Sequence, residues 1–346
     1  MRMLWMGAAL LAAIFVSGCN LRPFAEKYEV IYSMETSGAA EATQNARKYT
    51  IALVPKVAGI PYFDVAADGA KEAALDLGVE VVYRGPEVAD SEEQIEVIRG
   101  LIEESVDLLA VSANDPEKLL PVLAEARREG IRVMTWDADT APAGREIFVN
   151  MVDPETLGRH LMDTLAWSTR EEGEFAIMTG ALSASNLNEW IEWIETQRRQ
   201  YYPNMKLLAI EATDDDTEKA YEVAKRLLRD YPELDGIIGN SSVGPPAAAQ
   251  AVKEAGKAGV VRVVGLSTPN VMREHLKEGS AQVATLWSPK KLGYLTVVLA
   301  KDYLDGKLPY DGQEVYKVGN IRVNGDMVIM GEPLDFTEDN VDQYDF

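Results

Sequence analysis

The fold is decided by residues 51–83, which read IALVPKVAGIPYFDVAADGAKEAALDLGVEVVY. The stretch opens with a short apolar run at 51–54 that stops at Pro55, a pattern typical of a buried strand. Alanine and leucine then recur at helical spacing over 66–77, and a second apolar run follows at 79–83. The pattern predicts a strand–helix–strand unit of the kind that builds parallel sheets.

The same alternation continues along the rest of the chain. Further apolar runs of strand length lie at 108–111, 133–136, 148–149, 175–178, 207–210, 236–238 and 263–266. Continuous apolar strands joined by crossover helices predict parallel sheets that are covered on both faces. Because about nine such units exceed the usual size of one sheet, we predict an α/β fold with two doubly wound parallel-sheet lobes.

The composition excludes several classes of protein. The chain has 346 residues with 34 basic and 56 acidic side chains, a net charge of −22 that repels a phosphate backbone, so we expect no nucleic-acid partner. Apolar residues make up 47% and charged residues 26%, as in a soluble globular chain. One cysteine and two histidines exclude a disulfide framework and a Cys/His zinc site.

The N-terminus has the pattern of a secretory signal. Arg2 supplies a positive start, and residues 3–16 form an apolar run. As a helix this run would be roughly 21 Å long, shorter than the ~30 Å hydrocarbon core of a bilayer. The pattern therefore predicts a signal peptide rather than a permanent membrane span.

The end of this run resembles the lipobox of bacterial lipoproteins. It reads VSGC over 16–19, and Cys19 is the single cysteine of the chain. The resemblance implies a signal peptide over 1–19, lipidation of Cys19 and a membrane anchor outside the cytoplasm. An ordinary cleaved signal is the alternative. Residues 20–48 lack apolar periodicity and are interpreted as a tether.

Polar and aromatic side chains follow the predicted strands. Ligands of open α/β sheets bind beyond the carboxyl ends of the strands. Carboxylates, amides and lysine can bond the hydroxyls of a polyol, and aromatic rings can pack on its C–H faces. The candidate residues are Lys56, Tyr62, Phe63, Asp137, Asn186 and Trp287. Taken singly, Lys56 can be a surface lysine, Asp137 a helix cap, and Phe63 and Trp287 core residues.

Catalytic motifs give no competing prediction. The chain contains neither the GxGxxG or GxxxxGK[ST] phosphate loops nor the GxSxG elbow. His160 and His275 fall in helical stretches, away from strand ends. The run 214–216 (DDD) does not match a calcium loop and is interpreted as a solvated turn before a helix. We therefore expect no enzyme activity, no cofactor and no metal.

Longer motifs carry a resemblance to a known family. They read VPK (54–56), VSANDP (111–116), TWDADT (135–140), PAAAQ (246–250), GLSTPNVMR (265–273) and YDF (344–346). With them, residues 49–346 resemble the sugar-binding proteins of bacterial ABC importers. Among these proteins the chain resembles the ribose-binding type, which is class I of the periplasmic binding proteins. Within that type it is most similar to the branch of the rhamnose-binding and autoinducer-2-binding proteins.

This resemblance implies two α/β lobes joined by a three-segment hinge that closes on the ligand. We expect the N-terminal lobe to contain 49–142 and about 270–288. The C-terminal lobe is expected to contain 143–268 and about 289–346.

The resemblance also implies pocket residues. The autoinducer-2 pattern places its lysine on Lys56, one aspartate on Asp137, and its proline and alanine on Pro246 and Ala248. Its Asp-Gln pair falls on Asn186 and Leu187, where this chain departs. The runs NLNEW (186–190) and LWSPKKLGY (286–294) are more similar to the rhamnose-binding side. A pentose, a deoxyhexose or a related polyol is therefore preferred.

The function implied is that of a lipid-anchored, extracytoplasmic solute-binding protein. Its expected partners are a sugar ligand, the permease subunits of an ABC transporter, and the membrane through the lipid anchor. Capture of autoinducer-2 and presentation of a sugar to a chemoreceptor or histidine kinase are the alternatives. A sugar-responsive transcription regulator would need a basic helix-turn-helix before residue 49, where the signal peptide and tether are predicted.

Overall fold

The computed structural model describes residues 48–346, and this part of the chain forms sheets of seven, six and two strands. The strands are β1 (Thr50–Val54), β2 (Glu80–Tyr83), β3 (Leu108–Val111), β4 (Arg132–Trp136), β5 (Phe148–Val152), β6 (Gly173–Thr179), β7 (Met205–Ala212), β8 (Gly236–Gly239), β9 (Arg262–Leu266), β10 (Val283–Leu286), β11 (Glu314–Val315), β12 (Gly319–Asn320), β13 (Arg322–Asn324), β14 (Met327–Gly331) and β15 (Leu334–Phe336). The helices are α1 (Pro61–Leu77), α2 (Ser91–Glu103), α3 (Leu120–Arg128), α4 (Pro154–Thr169), α5 (Ser185–Tyr201), α6 (Thr217–Asp230), α7 (Gly244–Glu254), α8 (Pro269–Lys277) and α9 (Pro289–Leu304). Short 3-10 turns lie at Pro142–Gly144 and Val341–Gln343.

The two large sheets are almost entirely parallel. The first has the order β13-β14-β5-β4-β3-β1-β2, with β13 antiparallel to β14 and the other pairs parallel. The second has the order β15-β10-β9-β8-β6-β7, and β15 is its antiparallel edge strand. Each sheet is the centre of one lobe, which confirms the predicted fold of two doubly wound parallel-sheet lobes.

The apolar runs that predicted the strands are buried. Residues 51–54 of β1 have no exposed surface, and neither do Ile237 and Ile238 of β8. Such burial stabilises the fold by ~1.5–3 kcal/mol for each large aliphatic side chain. Four of the helices in the described part of the chain, α2, α4, α6 and α9, start at a residue whose side chain caps the first turn. Asp90 caps α2, for example, because its carboxylate accepts hydrogen bonds from the N–H groups of Glu92 and Glu93.

Helices α1 and α9 pack unusually closely in the first lobe. A Cβ atom on Gly69 of α1 would lie 1.8 Å from the carbonyl oxygen of Lys290, and one on Gly293 of α9 would lie 1.9 Å from that of Ala66. Each helix therefore presents a glycine to the backbone of the other, where no larger residue fits. This contact joins α9 to the lobe that contains α1.

Within the described residues the chain passes between the two sheets three times. Asp153 connects β5 to α4, residues 287–288 connect β10 to α9, and residues 332–333 connect β14 to β15. These crossovers correspond to the three-segment hinge implied by the resemblance. Two of them also cap helices: Asp153 accepts a hydrogen bond from the N–H of Thr156, and Ser288 accepts one from the N–H of Lys291.

The strand pairing corrects the predicted lobe boundaries. Residues 270–288 were expected in the N-terminal lobe, but β10 pairs with β9 and lies in the second sheet. Conversely, β5 and the segment from α9 to β14 belong to the first lobe, because β5 pairs with β4 and β14 pairs with β5. The lobe to which a segment belongs is set by the strand with which it pairs, and not by its position along the chain.

Candidate ligand-binding site

A small pocket lies where the carboxyl ends of the two sheets face each other. Its lining combines charged, amide and aromatic side chains from both lobes. The residues are Lys56, Ile60, Tyr62, Phe63, Asp137, Asn186, Leu187, Trp190, Asp215, Asn240, Ser242, Leu266, Leu286 and Trp287. This location agrees with the rule that open α/β sheets bind ligands beyond the carboxyl ends of their strands.

Asp137 is the central carboxylate of the first lobe. It directly follows β4 and has a left-handed backbone (φ 62°), a conformation that aspartate and asparagine tolerate better than most residues. One carboxylate oxygen accepts a hydrogen bond from the hydroxyl of Tyr62 at 2.9 Å, and the other accepts one from Ser112 at 2.6 Å. These bonds hold the buried carboxylate in one orientation at the pocket wall.

Lys56 supplies the positive charge beside this carboxylate. It follows β1 and is only 5% exposed, so the surface-lysine alternative does not hold. Its Nζ lies 3.8 Å from Oδ2 of Asp137. Its backbone carbonyl accepts a hydrogen bond from the Asn114 amide at 2.7 Å, which fixes the loop that carries it. A buried lysine of this kind needs a counter-ion, and Asp137 provides it.

Tyr62 and Trp287 extend the network across the hinge. The indole N–H of Trp287 donates to the hydroxyl oxygen of Tyr62 at 3.1 Å, and that hydroxyl donates to Asp137. Burial, and then the negative charge of Asp137, raise the pKa of Tyr62 well above its usual value. The phenol therefore stays a hydrogen-bond donor at every physiological pH.

Aromatic rings form the apolar walls. Tyr62 and Trp287 meet edge to face with ring centres 6.0 Å apart, and Trp190 meets Trp287 at 5.9 Å. Phe63 packs edge to face on Trp136 at 5.7 Å. The core interpretation of Phe63 and Trp287 is thus partly correct, since both are buried, yet both also line the pocket. Such rings can pack on the C–H face of a sugar.

Asparagine side chains provide the amides of the second lobe. The Asn186 amide donates to the backbone carbonyl of Asp137 at 3.4 Å, which joins the two lobes. The Asn240 amide donates to the carbonyl of Leu187 at 3.0 Å. The Oδ1 of Asn240 is buried and has no hydrogen-bond partner within residues 48–346. An unpaired acceptor in a pocket is a ready partner for a ligand hydroxyl.

Two further side chains tie the lobes together beside the pocket. Ser183 donates to the carbonyl of Asn114 at 2.8 Å, and Ser185 donates to the carbonyl of Asp139 at 2.9 Å. Both serines belong to the segment between β6 and the start of α5, and both acceptors belong to the first lobe. The structure therefore represents the closed arrangement of the two lobes.

The run 214–216 is not uniformly solvated, which corrects the sequence interpretation. Asp214 pairs with Lys219 at the surface, and Asp216 caps α6. Asp215, however, is 6% exposed and lines the pocket. The position of the run in the sequence indicates a place at the site, because the run lies just after β7. The other polar site residues likewise lie just after strands.

The structure brings seven of the nine predicted ligand-binding residues into one lining and leaves two outside it. Pro246 and Ala248 lie within α7, which begins at Gly244, and Ala248 is fully buried among apolar neighbours. Asn240 and Ser242, which precede this helix, line the pocket in their place. Trp190, one turn into α5 from Asn186, also lines it, and the helical spacing of the NLNEW run was the signal for it.

The predictions for residues 1–47 lie outside the described residues. They comprise the signal peptide, the lipidation of Cys19 and all but the last residue of the tether. Among residues 48–346, no helix combines the length and hydrophobicity needed to cross a membrane.

The fold and the pocket define a class of protein: two α/β lobes joined by three short crossovers, with a pocket of polar and aromatic side chains between them. Residues 51–308 match the periplasmic binding protein domain. The chain belongs to this family, in which it is a solute-binding protein of the ribose-binding type and not an enzyme. The family is extracytoplasmic, in agreement with the predicted location.

Individual relatives support this assignment. The D-ribose/D-allose-binding protein of Pseudomonas aeruginosa is 25% identical over 308 residues, which cover 87% of this chain and 92% of that protein. A solute-binding protein of Clostridium phytofermentas, solved with L-rhamnose, is 28% identical with a TM-score of 0.82, covering 86% of this chain and 98% of its own. LsrB of Clostridium saccharobutylicum, solved with AI-2, is 25% identical with a TM-score of 0.82, covering 86% and 100%. The resemblance found in the sequence is confirmed.

Proposed function

We propose that the protein captures a neutral monosaccharide, rhamnose or a related pentose or polyol, and delivers it to an ABC permease. The observation that carries this proposal is the unpaired, buried Oδ1 of Asn240 in a pocket walled by aromatic rings. An acceptor that has no protein partner costs free energy in the closed state until a ligand donor satisfies it. Closure is then favoured by the ligand.

The two lobes have different parts in this proposal. The first lobe contributes Lys56, Tyr62 and Asp137. The Asp137 carboxylate holds the Tyr62 hydroxyl and the Lys56 ammonium in place, and these groups are then ready to bond ligand hydroxyls. The second lobe contributes the amides of Asn186 and Asn240 on closure. Phe63, Trp190 and Trp287 pack on the apolar faces of the ring. The ligand is bound and released without chemical change, and the permease recognises the closed form.

The ligands of the relatives support a sugar of this size. The similar solved structures contain L-rhamnose and, in a protein of Burkholderia graminis that is 30% identical, D-arabinose. The P. aeruginosa relative is a D-ribose/D-allose-binding protein. A pocket that combines one ammonium, two carboxylates, amides and aromatic rings suits any of these neutral sugars.

AI-2 is the second candidate, and the Lys56–Asp137 pair favours it because both positions match the autoinducer-2 pattern. Leu187 opposes it. This side chain lines the pocket with a hydrocarbon surface where the pattern has an amide. A ligand hydroxyl left unpaired there would cost ~1–3 kcal/mol. We therefore rank a neutral sugar first.

The lipid anchor is part of the same proposal. The VSGC motif at 16–19 supports lipidation of Cys19, which would hold the binding protein near its permease on the outer side of the membrane.

The test is a thermal-shift screen of the purified protein with L-rhamnose, D-ribose, D-allose, D-arabinose and AI-2. We expect at least one neutral sugar to raise the melting temperature by mass action. Titration calorimetry then gives the affinity, and chromatography of the released ligand should recover it unchanged. A screen in which no sugar raises the melting temperature, or a chemically altered ligand, contradicts the proposal. A shift with AI-2 alone favours the second candidate.

A further inference from the structure

The charges that line the pocket do not balance. The charged side chains of the lining are Lys56, Asp137 and Asp215, and each is at most 6% exposed. The Lys56 ammonium lies 3.8 Å from Asp137 and so forms its ion pair with that carboxylate. One ammonium therefore faces two carboxylates, and Asp215 from the second lobe supplies the excess negative charge.

The second lobe is built to hold Asp215 in this place. Its turn has left-handed backbones at Asp214 (φ 51°) and Asp215 (φ 54°). Thr213 fastens the turn to β6, because its backbone N–H and its hydroxyl both donate to the carbonyl of Thr179, at 2.8 and 2.9 Å. Gly180 leaves room for the carboxylate, since a Cβ atom there would lie 2.6 Å from the Oδ1 of Asp215.

The surroundings penalise further negative charge. Burial raises the pKa of Asp215, the charge of Asp137 raises it further, and Lys56 only partly offsets these effects. The three charged side chains are buried, so their charges interact more strongly than they would at the protein surface. An anionic ligand would add a third negative group to this site.

We propose that Asp215 is a specificity-determining residue that excludes anionic ligands, such as sugar acids and sugar phosphates, from the pocket. It restricts the site to neutral hydroxylated ligands. The inference rests on the proposed function, because it names the residue that sets the charge of the ligand taken by the same pocket.

The test compares wild-type protein with the Asp215→Asn variant, which keeps the size of the side chain and removes its charge. The neutral probes are L-rhamnose, D-ribose and D-galactose, and the anionic probes are D-ribose 5-phosphate and D-galacturonate. Calorimetry should show that the wild type binds anions far more weakly than neutral sugars. In Asp215→Asn the affinity for anions should rise roughly tenfold or more relative to that for neutral sugars.

Two variants within the acidic run 214–216 are the matched controls. Asp214→Asn and Asp216→Asn remove one negative charge each from outside the pocket, so the preference for neutral sugars should not change. The proposal is overturned when a folded Asp215→Asn protein discriminates against anions as strongly as the wild type does. It is equally overturned when this variant loses neutral sugars altogether, since the carboxylate would then be an obligatory hydroxyl acceptor.

A second measurement needs no sugar. Because the excess buried charge destabilises the closed, ligand-free protein, Asp215→Asn should raise its melting temperature at pH 8 and raise it less at pH 4.5, where Asp215 is more protonated. The Asp216→Asn control should lack this pH-dependent gain. If Asp215→Asn shows no rise in melting temperature at pH 8, the inference is overturned even when no sugar binds. If the rise is present but no sugar shifts the melting temperature in the screen, only the proposed function is overturned.

Discussion

Asp137 shows how much of the pocket depends on one side chain. Its carboxylate accepts hydrogen bonds from Tyr62 and Ser112 and pairs with Lys56, and its backbone carbonyl accepts the Asn186 amide from the other lobe. The residue therefore links the charge, the aromatic wall and the closed state. Its left-handed backbone restricts what can replace it, and asparagine is the replacement that tolerates this conformation best.

We predict that Asp137→Asn weakens sugar binding by ~1–3 kcal/mol, roughly 5- to 150-fold, because it removes the charged acceptor that Tyr62 and Ser112 orient and takes the nearest carboxylate away from the buried Lys56 ammonium. Titration calorimetry with the sugar selected by the thermal-shift screen measures this change. Asp68→Asn is the matched control, since Asp68 lies on the exposed face of α1 and pairs with Lys71 at the surface. Equal affinities of Asp137→Asn and wild type would remove Asp137 from the site.

At the scale of elements, the segment from β6 to α5 joins the lobes in the closed state. Ser183, Ser185 and Asn186 each donate a side-chain hydrogen bond to a backbone carbonyl of the first lobe. The two serines are outside the pocket lining. They therefore act on the equilibrium between open and closed lobes and not on the ligand itself.

We predict that the double variant Ser183→Ala, Ser185→Ala binds sugar more weakly without any change in which sugar it prefers. Each lost hydrogen bond should cost ~0.5–1.5 kcal/mol of closure. Calorimetry measures the affinity, and small-angle scattering should show a larger open fraction of ligand-free protein. Ser168→Ala is the control, because Ser168 bonds within α4. A larger open fraction with unchanged affinity would separate closure from binding and contradict the prediction.

A second contact between elements makes the stability depend on pH. His160 on α4 lies 2.8 Å from Asp335 on β15, which also accepts a hydrogen bond from Thr285 on β10. The hydrogen bond that the His160 ring donates to the Asp335 carboxylate raises the pKa of His160 despite burial. Burial alone would raise the pKa of Asp335, but the bonds from His160 and Thr285 lower it overall.

The pair should therefore stabilise the fold between about pH 4 and 6.5, with loss above that range as His160 deprotonates and below it as Asp335 is protonated. We predict that His160→Gln lowers the melting temperature at pH 6 and lowers it much less at pH 8.5. His275→Gln serves as the comparison, because burial lowers the pKa of His275 and no such gain at pH 6 is expected. A His160→Gln effect of equal size at both pH values would contradict the prediction.

At the scale of the whole molecule, the sequence predicted the architecture better than the connectivity. Apolar runs mark strands wherever both faces of a sheet are covered, so β1, β8 and β9 were visible directly. The lobe to which β10 belongs depends on pairing with β9, and no local pattern contains that information. The strand-end rule predicted Lys56 and Asp137, which both line the pocket, whereas the burial of Asp215 depends on a left-handed turn and on the space beside Gly180.

The attachment of the whole molecule is also testable. We predict that Cys19→Ala abolishes lipidation and removes the protein from the membrane fraction, because Cys19 is the single cysteine and ends the VSGC motif. Metabolic labelling with a fatty acid and cell fractionation measure the two effects, and Ser17→Ala, which keeps a small residue in the motif, is the control. Unchanged membrane retention of Cys19→Ala would refute the anchor.

The brevity of the crossovers constrains how the lobes can move. One residue separates β5 from α4, and two residues separate β10 from α9 and β14 from β15. With so few backbone torsions available in the three crossovers, we expect the lobes to move mainly by rotation about this hinge. The distance between one pair of fluorophores placed across the cleft would therefore report the whole motion. This distance would change with the fraction of protein that holds sugar.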